Sequence, residues 1–278
     1  MDHDLTIDEK RVYGDRTGAV EVLIAAEQGV VAASLADDRV GEFGLDHRAT
    51  ARDVALHGNQ RLVATADDVL VGDYDATDFG PAVAVGFDGA GTPLAAAPDG
   101  RIARLDDGWA TVGHVDDPRA IDAGMVAAAD GVHQVVDGGL RNVGLDGVRD
   151  VHGRGMPLAA TDGGLYRLGN GWMDELDGAF AVVSADSTNA PSASSRTQSG
   201  GAAERAHAAG GDGLFARDAI AEWSPVDYPG DGRIADVGYT EAATVAVTET
   251  GRLLADAGEG WRTRELGVSG VGRLAIRQ

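Results

Sequence analysis

The chain has 278 residues, no cysteine and a formal net charge of -22, with 45 Asp and Glu against 23 Lys and Arg. The lack of cysteine excludes disulfides, thiolate metal sites and a cysteine nucleophile. No Lys/Arg cluster is present to neutralise phosphates, which argues against nucleic-acid binding. No run approaches 18 apolar residues and the N-terminal segment has no apolar signal region, so we expect a soluble cytoplasmic protein without membrane contact.

A short turn that contains Gly or Asp recurs along the chain and follows an apolar, often alanine-rich, segment. Positions 61–71, 93–105, 125–136 and 157–168 show the pattern most clearly. The turn residues are Gly29, Asp68, Gly100, Gly131, Gly163, Gly213 and Gly251. Their separations of 31 to 50 residues define seven units. Gly and Asp tolerate the positive φ of a tight hairpin, so the flanking segments are expected to pair antiparallel.

A tryptophan follows the second strand at a similar offset in four of the units. These residues are Trp109, Trp172, Trp223 and Trp261. Equivalent positions in successive units favour packing between neighbouring units over a platform for a ligand.

A further short apolar segment separates the third strand of one unit from the next unit, so each unit has four strands. Seven four-stranded units predict an all-β fold, a seven-bladed β-propeller of antiparallel blades in a single domain over residues 1–278. The first unit lacks an inner strand, and residues 272–277 supply an extra one. We therefore expect the C-terminal strand to pair with the first blade and close the ring.

Two segments do not fit the repeat. Residues 184–206 are rich in Ser, Ala and Gly, which predicts a flexible low-complexity insertion between the first two strands of the sixth blade. Residues 5–19 are compatible with a capped helix or with an added outer strand, and the sequence does not distinguish the two.

The acidity has a simple physical interpretation. The chain has 34 Asp but a single lysine, Lys10, beside 22 Arg, which resembles the proteins of salt-loving archaea. Concentrated salt screens self-repulsion, because the Debye length falls to about 3 Å at 1 M. The alternative is an acidic surface that binds a basic partner. We expect a monomer.

Candidate site residues lie on the inner strands, which line the channel of a propeller. Aligning these segments superposes Asp53, Asp122, Asp150 and Asp236, while other blades carry Ala84, Val182 or Ile276. Converging carboxylates need compensation, and oxygen-rich sites suit Ca²⁺ or Mg²⁺. The alternative is ion pairing with the neighbouring arginines Arg52, Arg119, Arg149 and Arg233. No other cofactor is indicated.

Two histidines follow these aspartates at even offsets. His57 and His152 lie four and two residues after Asp53 and Asp150, which places them on the same strand face. A histidine beside a carboxylate can act as a general base or a metal ligand, or can simply complete a hydrogen bond. His114, His133 and His207 fall outside the inner strands and indicate no function.

The repeat residues, [LV]AAxxDG[LVI] followed by Gly-Trp, are distantly similar to propellers of the Asp-box or neuraminidase type. However, the segments DDGW, GNGW and GEGW lack the Ser/Thr and spaced Asp of the Asp box. Residues 9–31 and 40–56 resemble a haloarchaeal β-propeller family of unassigned function. That resemblance implies the fold and assigns no catalytic residues.

Two functional hypotheses remain. The first is a non-catalytic scaffold that binds an unknown protein or small molecule around the channel, since Walker, HExxH and G-x-S-x-G motifs are all missing. The second is an enzyme or metal-binding protein that acts on a sugar or small metabolite at the acidic channel mouth. The sequence does not choose between them.

Overall fold

The computed structural model describes residues 19–186 and 205–277, which form seven four-stranded sheets. Blade 1 starts with β1 (Val20–Ala26), β2 (Gly29–Ala36) and β3 (Arg39–His47). Blade 2 contains β4 (Ala51–His57), β5 (Gln60–Thr65), β6 (Val69–Val71) and β7 (Asp75–Ala76). Blade 3 contains β8 (Ala84–Phe87), β9 (Pro93–Ala96), β10 (Arg101–Leu105) and β11 (Trp109–His114). Blade 4 contains β12 (Pro118–Asp122), β13 (Met125–Ala128), β14 (Gly131–Val136) and β15 (Gly139–Asn142).

The remaining blades repeat this order. Blade 5 contains β16 (Val148–His152), β17 (Leu158–Thr161), β18 (Gly164–Leu168) and β19 (Trp172–Asp177). Blade 6 contains β20 (Phe180–Ala185), β21 (Ala206–Gly210), β22 (Gly213–Ala219) and β23 (Glu222–Val226). Blade 7 contains β24 (Ile234–Tyr239), β25 (Thr244–Thr248), β26 (Arg252–Asp256) and β27 (Arg262–Glu265). The last described strand is β28 (Leu274–Arg277).

Strand β28 closes the ring as the inner strand of blade 1. It pairs antiparallel with β1, from Glu21 opposite Arg277 to Ile24 opposite Leu274, and gives the sheet order β28-β1-β2-β3. Strands from both ends of the described chain therefore share one sheet. The predicted seven-bladed propeller and its closure are confirmed.

The hydrophobic core consists of seven layers, one between each pair of neighbouring blades. One layer joins Val22 and Ile24 of blade 1 to Val245 and Val247 of blade 7, so the closure also buries apolar surface. Alanines of the second strands, such as Ala159 and Ala160, are fully buried. Small side chains suit this position because radial blades approach each other most closely near the channel.

The four tryptophans lie farther out, where the blades diverge and a larger side chain is needed. The Trp109 Nε1–H donates to Thr77 Oγ1 of the preceding blade at 3.0 Å, and the Trp172 Nε1–H donates to the Val143 carbonyl at 2.9 Å. Trp223 donates in the same way to Glu175, and Trp261 packs on the layer between blades 6 and 7. Their predicted role between blades is confirmed.

Two segments discussed above lie largely outside the described residues. Residues 1–18 and 187–204 are not described, so the alternatives for residues 5–19 and the predicted flexibility of the insertion stay predictions. The insertion boundaries change, because Ser184 and Ala185 belong to β20 and Ala206 begins β21. No stretch of the described chain forms a helix long and apolar enough to span a membrane.

Candidate functional site

The seven inner strands contact one another in sequence around the channel. A β-bulge shifts the pairing with the second strand by one residue in five of these inner strands, namely β4, β12, β16, β20 and β24. We define the ring level as the residue of each inner strand that follows this bulge or is equivalent to it. From blade 1 to blade 7 the ring level is Arg273, Asp53, Ala84, Ala120, Asp150, Val182 and Asp236.

This register corrects the alignment made from the sequence. Ala120 pairs with Ala127 of the second strand. In blades 2 and 5 the residue equivalent to Ala127 pairs with Asp53 and with Asp150. Asp122 therefore lies two residues beyond the ring level. In blade 1 the ring-level residue is Arg273, and not Ile276, because Ala25 N–H bonds to the Arg273 carbonyl. Ala84 and Val182 do lie at the ring level.

The three ring-level aspartates connect neighbouring blades. Asp150 accepts hydrogen bonds from Val151 N–H at 2.9 Å and from Val183 N–H of blade 6 at 2.8 Å. Asp53 and Asp236 repeat the arrangement, bonding to the N–H groups of Val85 and Leu274 in the following blade. Each carboxylate is buried, with at most 8% of its residue exposed. These aspartates are therefore structural links around the ring.

Arg273 compensates their charge. Its Nη1 and Nη2 atoms donate to the two carboxylate oxygens of Asp150 at 2.9 and 2.7 Å, and Nη1 lies 3.6 Å from Asp236 Oδ1. Bidentate pairing of this kind is strong and geometrically specific. The residue directly before the closing strand β28 thus contributes the cation of the ring level.

The neighbouring arginines that were expected to neutralise the aspartates bond elsewhere. Arg52 and Arg119 donate to the carbonyls of Ala82 and Val148 in the next blade, and Arg149 pairs with Asp162. Within the described residues, Arg233 also makes no contact with a ring-level carboxylate. Arg52, Arg119 and Arg149 are the bulge residues, which directs them away from the ring level.

Burial raises the carboxyl pKa values at the ring level. The pKa of Asp53 rises to about 6 and that of Asp236 to about 7, because desolvation disfavours the charged form. Arg273 opposes this shift, whereas the Asp150 carboxylate adds to it. Three carboxyl groups share one guanidinium, so ionising all of them leaves excess negative charge in a buried place.

The ring level does not fit a bound Ca²⁺ or Mg²⁺. The Arg273 guanidinium lies against two of the three carboxylates, and backbone N–H groups occupy oxygens that a cation would need. Over residues 19–186 and 205–277, no group of three or more His, Asp or Glu side chains has an arrangement suited to a metal ion.

A cavity of about 560 Å³ extends from the ring level to the carboxyl ends of the inner strands. None of the bulge arginines lines it, so the ring level forms its floor. The polar side chains above the floor include His57, Asp122, His152, Arg154, Ser184, Asp186, Tyr239 and Arg277.

Asp122 and His152 form a pair in this cavity, two residues beyond the ring level in adjacent blades. Asp122 Oδ2 accepts a hydrogen bond from Gly153 N–H at 2.8 Å and lies 3.4 Å from His152 Nδ1. Arg154 Nε lies 3.8 Å from the other Asp122 oxygen. A Cβ atom on Gly153 would lie 2.5 Å from the Asp122 carbonyl oxygen, so only glycine allows this approach.

The second ring nitrogen of His152 has no hydrogen-bond partner among the described residues. His152 is only 8% exposed although it lines the cavity. An unpaired buried polar atom costs about 1–3 kcal/mol, so most are paired in native proteins. The Nε2 atom is itself buried, so its unmet bonding capacity lies within the wall and is not exposed on the cavity surface.

His57 lies on the opposite side of the cavity. Its ring packs against Phe87 with a centroid distance of 5.3 Å. It lies four residues beyond the ring level, and His152 lies two residues beyond it, so both histidines line the same cavity.

Two features were not found from the sequence: the contact of His207 with Tyr239 beside the cavity, and the place of Arg273 at the ring level. His207 Nδ1 lies 2.9 Å from the Tyr239 hydroxyl, which donates to the Ser184 carbonyl at 3.0 Å. Burial, with a contribution from Arg205, lowers the pKa of His207 to about 4. His207 was set aside because it lies on a second strand. Arg273 was missed because its charge is opposite to that of the equivalent aspartates.

Comparison with protein families identifies the chain. The family model described as "Beta-prop_HVO_0234-like, beta propeller" matches residues 6–277. The chain belongs to this family. The HVO_0234-like family is named after a haloarchaeal protein. The comparison does not support a relation to Asp-box repeats, and the search of curated proteins gave no match.

Solved structures share the fold at low sequence identity. The computationally designed Ika8 protein is 14% identical with a TM-score of 0.57, over 95% of this chain and 92% of its own. A chain of the nidogen/laminin complex is 10% identical with a TM-score of 0.54, over 93% and 98%. YCF48 bound to D1 peptide is 13% identical with a TM-score of 0.55, over 77% and 82%. These similarities support the propeller fold alone, and the function of this HVO_0234-like chain has to be argued from its cavity.

Proposed function

We propose that this propeller is a non-catalytic binding scaffold whose ligand is a small polar molecule in the channel cavity. The observation that carries this proposal is the cavity of about 560 Å³ beyond the ring level, whose wall includes His57, Asp122, His152 and Arg154. Ligand cavities typically have volumes of about 300–1,000 Å³ and a few placed polar groups.

The ring level supports the proposal because its polar groups are already paired with one another and with the backbone, which leaves ligand binding to the residues beyond it. Its three carboxylates already accept backbone N–H bonds and are held with Arg273, so they have little capacity for a ligand. Some groups beyond the ring level are less committed. Arg154, for example, has a side chain 42% exposed and a single loose contact with Asp122.

A second candidate function is catalysis at the Asp122–His152 pair. An aspartate close to one nitrogen of a histidine, here at 3.4 Å, is part of the arrangement of a general base. In this alternative His152 would remove a proton from a sugar or small metabolite. Conversion of a bound compound, lost in His152→Gln, would favour this function over simple binding.

We also propose that the acidity reflects a salt-rich cytoplasm and that the chain acts as a monomer without nucleic-acid partners. The net charge of -22 supports this, since self-repulsion favours separation and is relieved by screening. Thermal stability should rise with KCl concentration, and sedimentation should give a single-chain mass.

The binding function is tested by thermal shift at molar KCl against a panel of sugars, amines, carboxylates and phosphate esters. Ala55→Phe places a larger side chain in the cavity, whereas Ala110→Phe changes an exposed position on outer strand β11. A compound that stabilises the parent and Ala110→Phe, but not Ala55→Phe, supports the proposal. If no compound stabilises the protein, or if every shift survives in Ala55→Phe, the proposal is rejected.

A further inference from the structure

We infer that residues 10–16 of this chain bind a notch in the outer part of blade 1, whose lining includes Ala32, Glu42, Gly44 and Leu45. The notch lies on the face of blade 1 that is turned toward blade 2. It is separate from the channel cavity, so the inference does not depend on the proposed binding function.

The notch has a volume of about 470 Å³ and arises from a difference in strand length. Strand β3 of blade 1 has nine residues, whereas the outer strands β6 and β7 of blade 2 have three and two. Ala32 packs at the edge of the apolar layer between the two blades and also lines the notch, which therefore begins where that layer ends. The short outer hairpin of blade 2 leaves this part of blade 1 uncovered.

Blade 2 reaches the notch at one end only. Asp46 of β3 pairs with Arg61 at 3.3 Å and accepts a hydrogen bond from the Tyr74 hydroxyl. The described residues that line the notch all belong to blade 1 or directly precede it. A further segment of chain can therefore lie beside β2 and β3.

The uncovered surface is both apolar and acidic. Leu45 is 40% exposed and is one of three exposed large apolar side chains in residues 19–186 and 205–277. The notch is also lined by Glu21, Glu42 and Asp46, while no described arginine or lysine lines it. The complementary partner carries cations beside apolar groups.

Residues 10–16, with the sequence KRVYGDR, have this chemistry. They carry three cations against one carboxylate, in a chain whose net charge is -22, and they include Val12 and Tyr13. Exposed ion pairs contribute little and are screened by salt. Contact of Val12 and Tyr13 with Leu45 therefore has to supply most of the binding free energy at molar KCl.

The segment is also attached beside the notch. Ala19 is the first described residue and lines the notch. Lys10 precedes it by nine residues, a span of at most about 30 Å. Attachment makes the contact intramolecular, so a weak interaction is sufficient. The family model matches from residue 6 onward, which includes the segment in the family's domain.

Lys10 allows a direct test because it is the only lysine of the chain. A carbodiimide joins an amine to a carboxylate in contact with it, so Lys10 and the N-terminal amine alone can react. At molar KCl, peptide mass spectrometry should find Lys10 linked to Glu21, Glu42 or Asp46. Lys10→Arg keeps the charge and should abolish these links. Links from Lys10 mainly to other blades, or no link from Lys10, would overturn the inference.

A mixture of unlabelled and isotope-labelled protein identifies the occupant. Links within one isotopic form support binding of the chain's own segment. Links that join the two forms would overturn the inference in favour of a second copy.

Gly44→Phe gives an independent measurement. Gly44 lines the notch and no atom lies within 4 Å of a Cβ placed on it, so the new side chain fills the notch without a clash. Trypsin should cleave after Lys10 and Arg11 at least about tenfold faster in Gly44→Phe than in the parent, because a bound segment is protected. Gly108→Phe makes the same change at an exposed turn with equal space and should be cleaved like the parent. Equal cleavage rates in Gly44→Phe and the parent contradict the inference.

Discussion

Two levels of one channel, separated by only two residues along each inner strand, differ in how their polar groups are paired. At the ring level, Asp53, Asp150 and Asp236 bond to two backbone N–H groups each, and Arg273 lies among them. At the next level, His152 Nε2 has no partner among the described residues, and Asp122 holds Arg154 only loosely.

The difference shows that acidic residues on inner strands are not one functional set. A carboxylate that bonds to the next blade and to a buried guanidinium contributes to ring closure. A polar group such as Arg154, whose side chain is 42% exposed at the cavity wall, is available to a ligand. Pairing, more than residue type, therefore separates the structural from the candidate functional residues.

The largest expected effect comes from removing the ring-level cation. Arg273→Met leaves Asp150 and Asp236 without their buried partner, and breaking such a pair typically costs about 3–5 kcal/mol. The free energy of unfolding, measured by urea denaturation at molar KCl, should fall by this amount.

Arg277→Met is the matched control, four residues farther along the chain at the end of β28. Its ion pair with Glu21 is partly exposed, so its loss should cost less than about 1 kcal/mol. Equal costs for the two variants would show that the ring level is no more important than any surface pair.

A second prediction concerns pH. The pKa of Asp236 rises from 3.8 when unfolded to about 7 when folded, so its contribution to stability is complete below pH 3.8 and lost as the pH rises through 7. The free energy of unfolding should therefore decrease between about pH 4 and pH 7. Asp236→Asn should reduce this slope by up to about 1.4 kcal/mol per pH unit, the value for one proton.

The groups that face Asp236 set the size of this effect. They are the Arg273 guanidinium and Asp150 on β16. Asp53 on β4 interacts with the same two groups and titrates in the same direction, with a pKa of about 6. Asp174→Asn, at an exposed position on β19, should leave the slope unchanged. A slope that is the same in Asp236→Asn and the parent would contradict the ring-level assignment.

The smallest effect is expected in the cavity. Replacing an unpaired polar group by an apolar one of similar shape is nearly neutral, so His152→Phe should change the free energy of unfolding by less than about 1 kcal/mol. Thr161→Val is the contrasting variant, because the buried Thr161 hydroxyl donates to the Gly164 carbonyl and accepts from the Gly164 N–H. Its loss should cost about 1–3 kcal/mol. A cost for His152→Phe as large as that for Thr161→Val would mean that His152 is structural.

The fold was predictable because each hairpin turn has a local signature. Glycines such as Gly100 and Gly251 do adopt positive φ in their turns, and counting these turns gave seven blades. The extra segment at 272–277 then accounted for closure. These features need only short-range information and chain order.

The site was only partly predictable because the inner strands carry no such marker. Asp122 was aligned by residue type, whereas the bulge at Arg119 and the pairing of Ala120 with Ala127 set the actual level. Arg273 was missed for the converse reason, since its charge is opposite to that of its equivalents. The sequence did contain one signal for the place of Arg273, which is the apolar residue after it. Leu274 corresponds to Val54, Val151 and Val237, which follow the ring-level aspartates.

Closure by β28 also orders events on the ribosome. Asp53, Asp150 and Asp236 are all synthesised before Arg273, which precedes the last described strand. Until that segment emerges, the nascent propeller has its acidic residues but lacks both the guanidinium that compensates them and the strand that completes blade 1. Synthesis of residues 273–277 therefore completes the sheet and supplies the compensating guanidinium in one step.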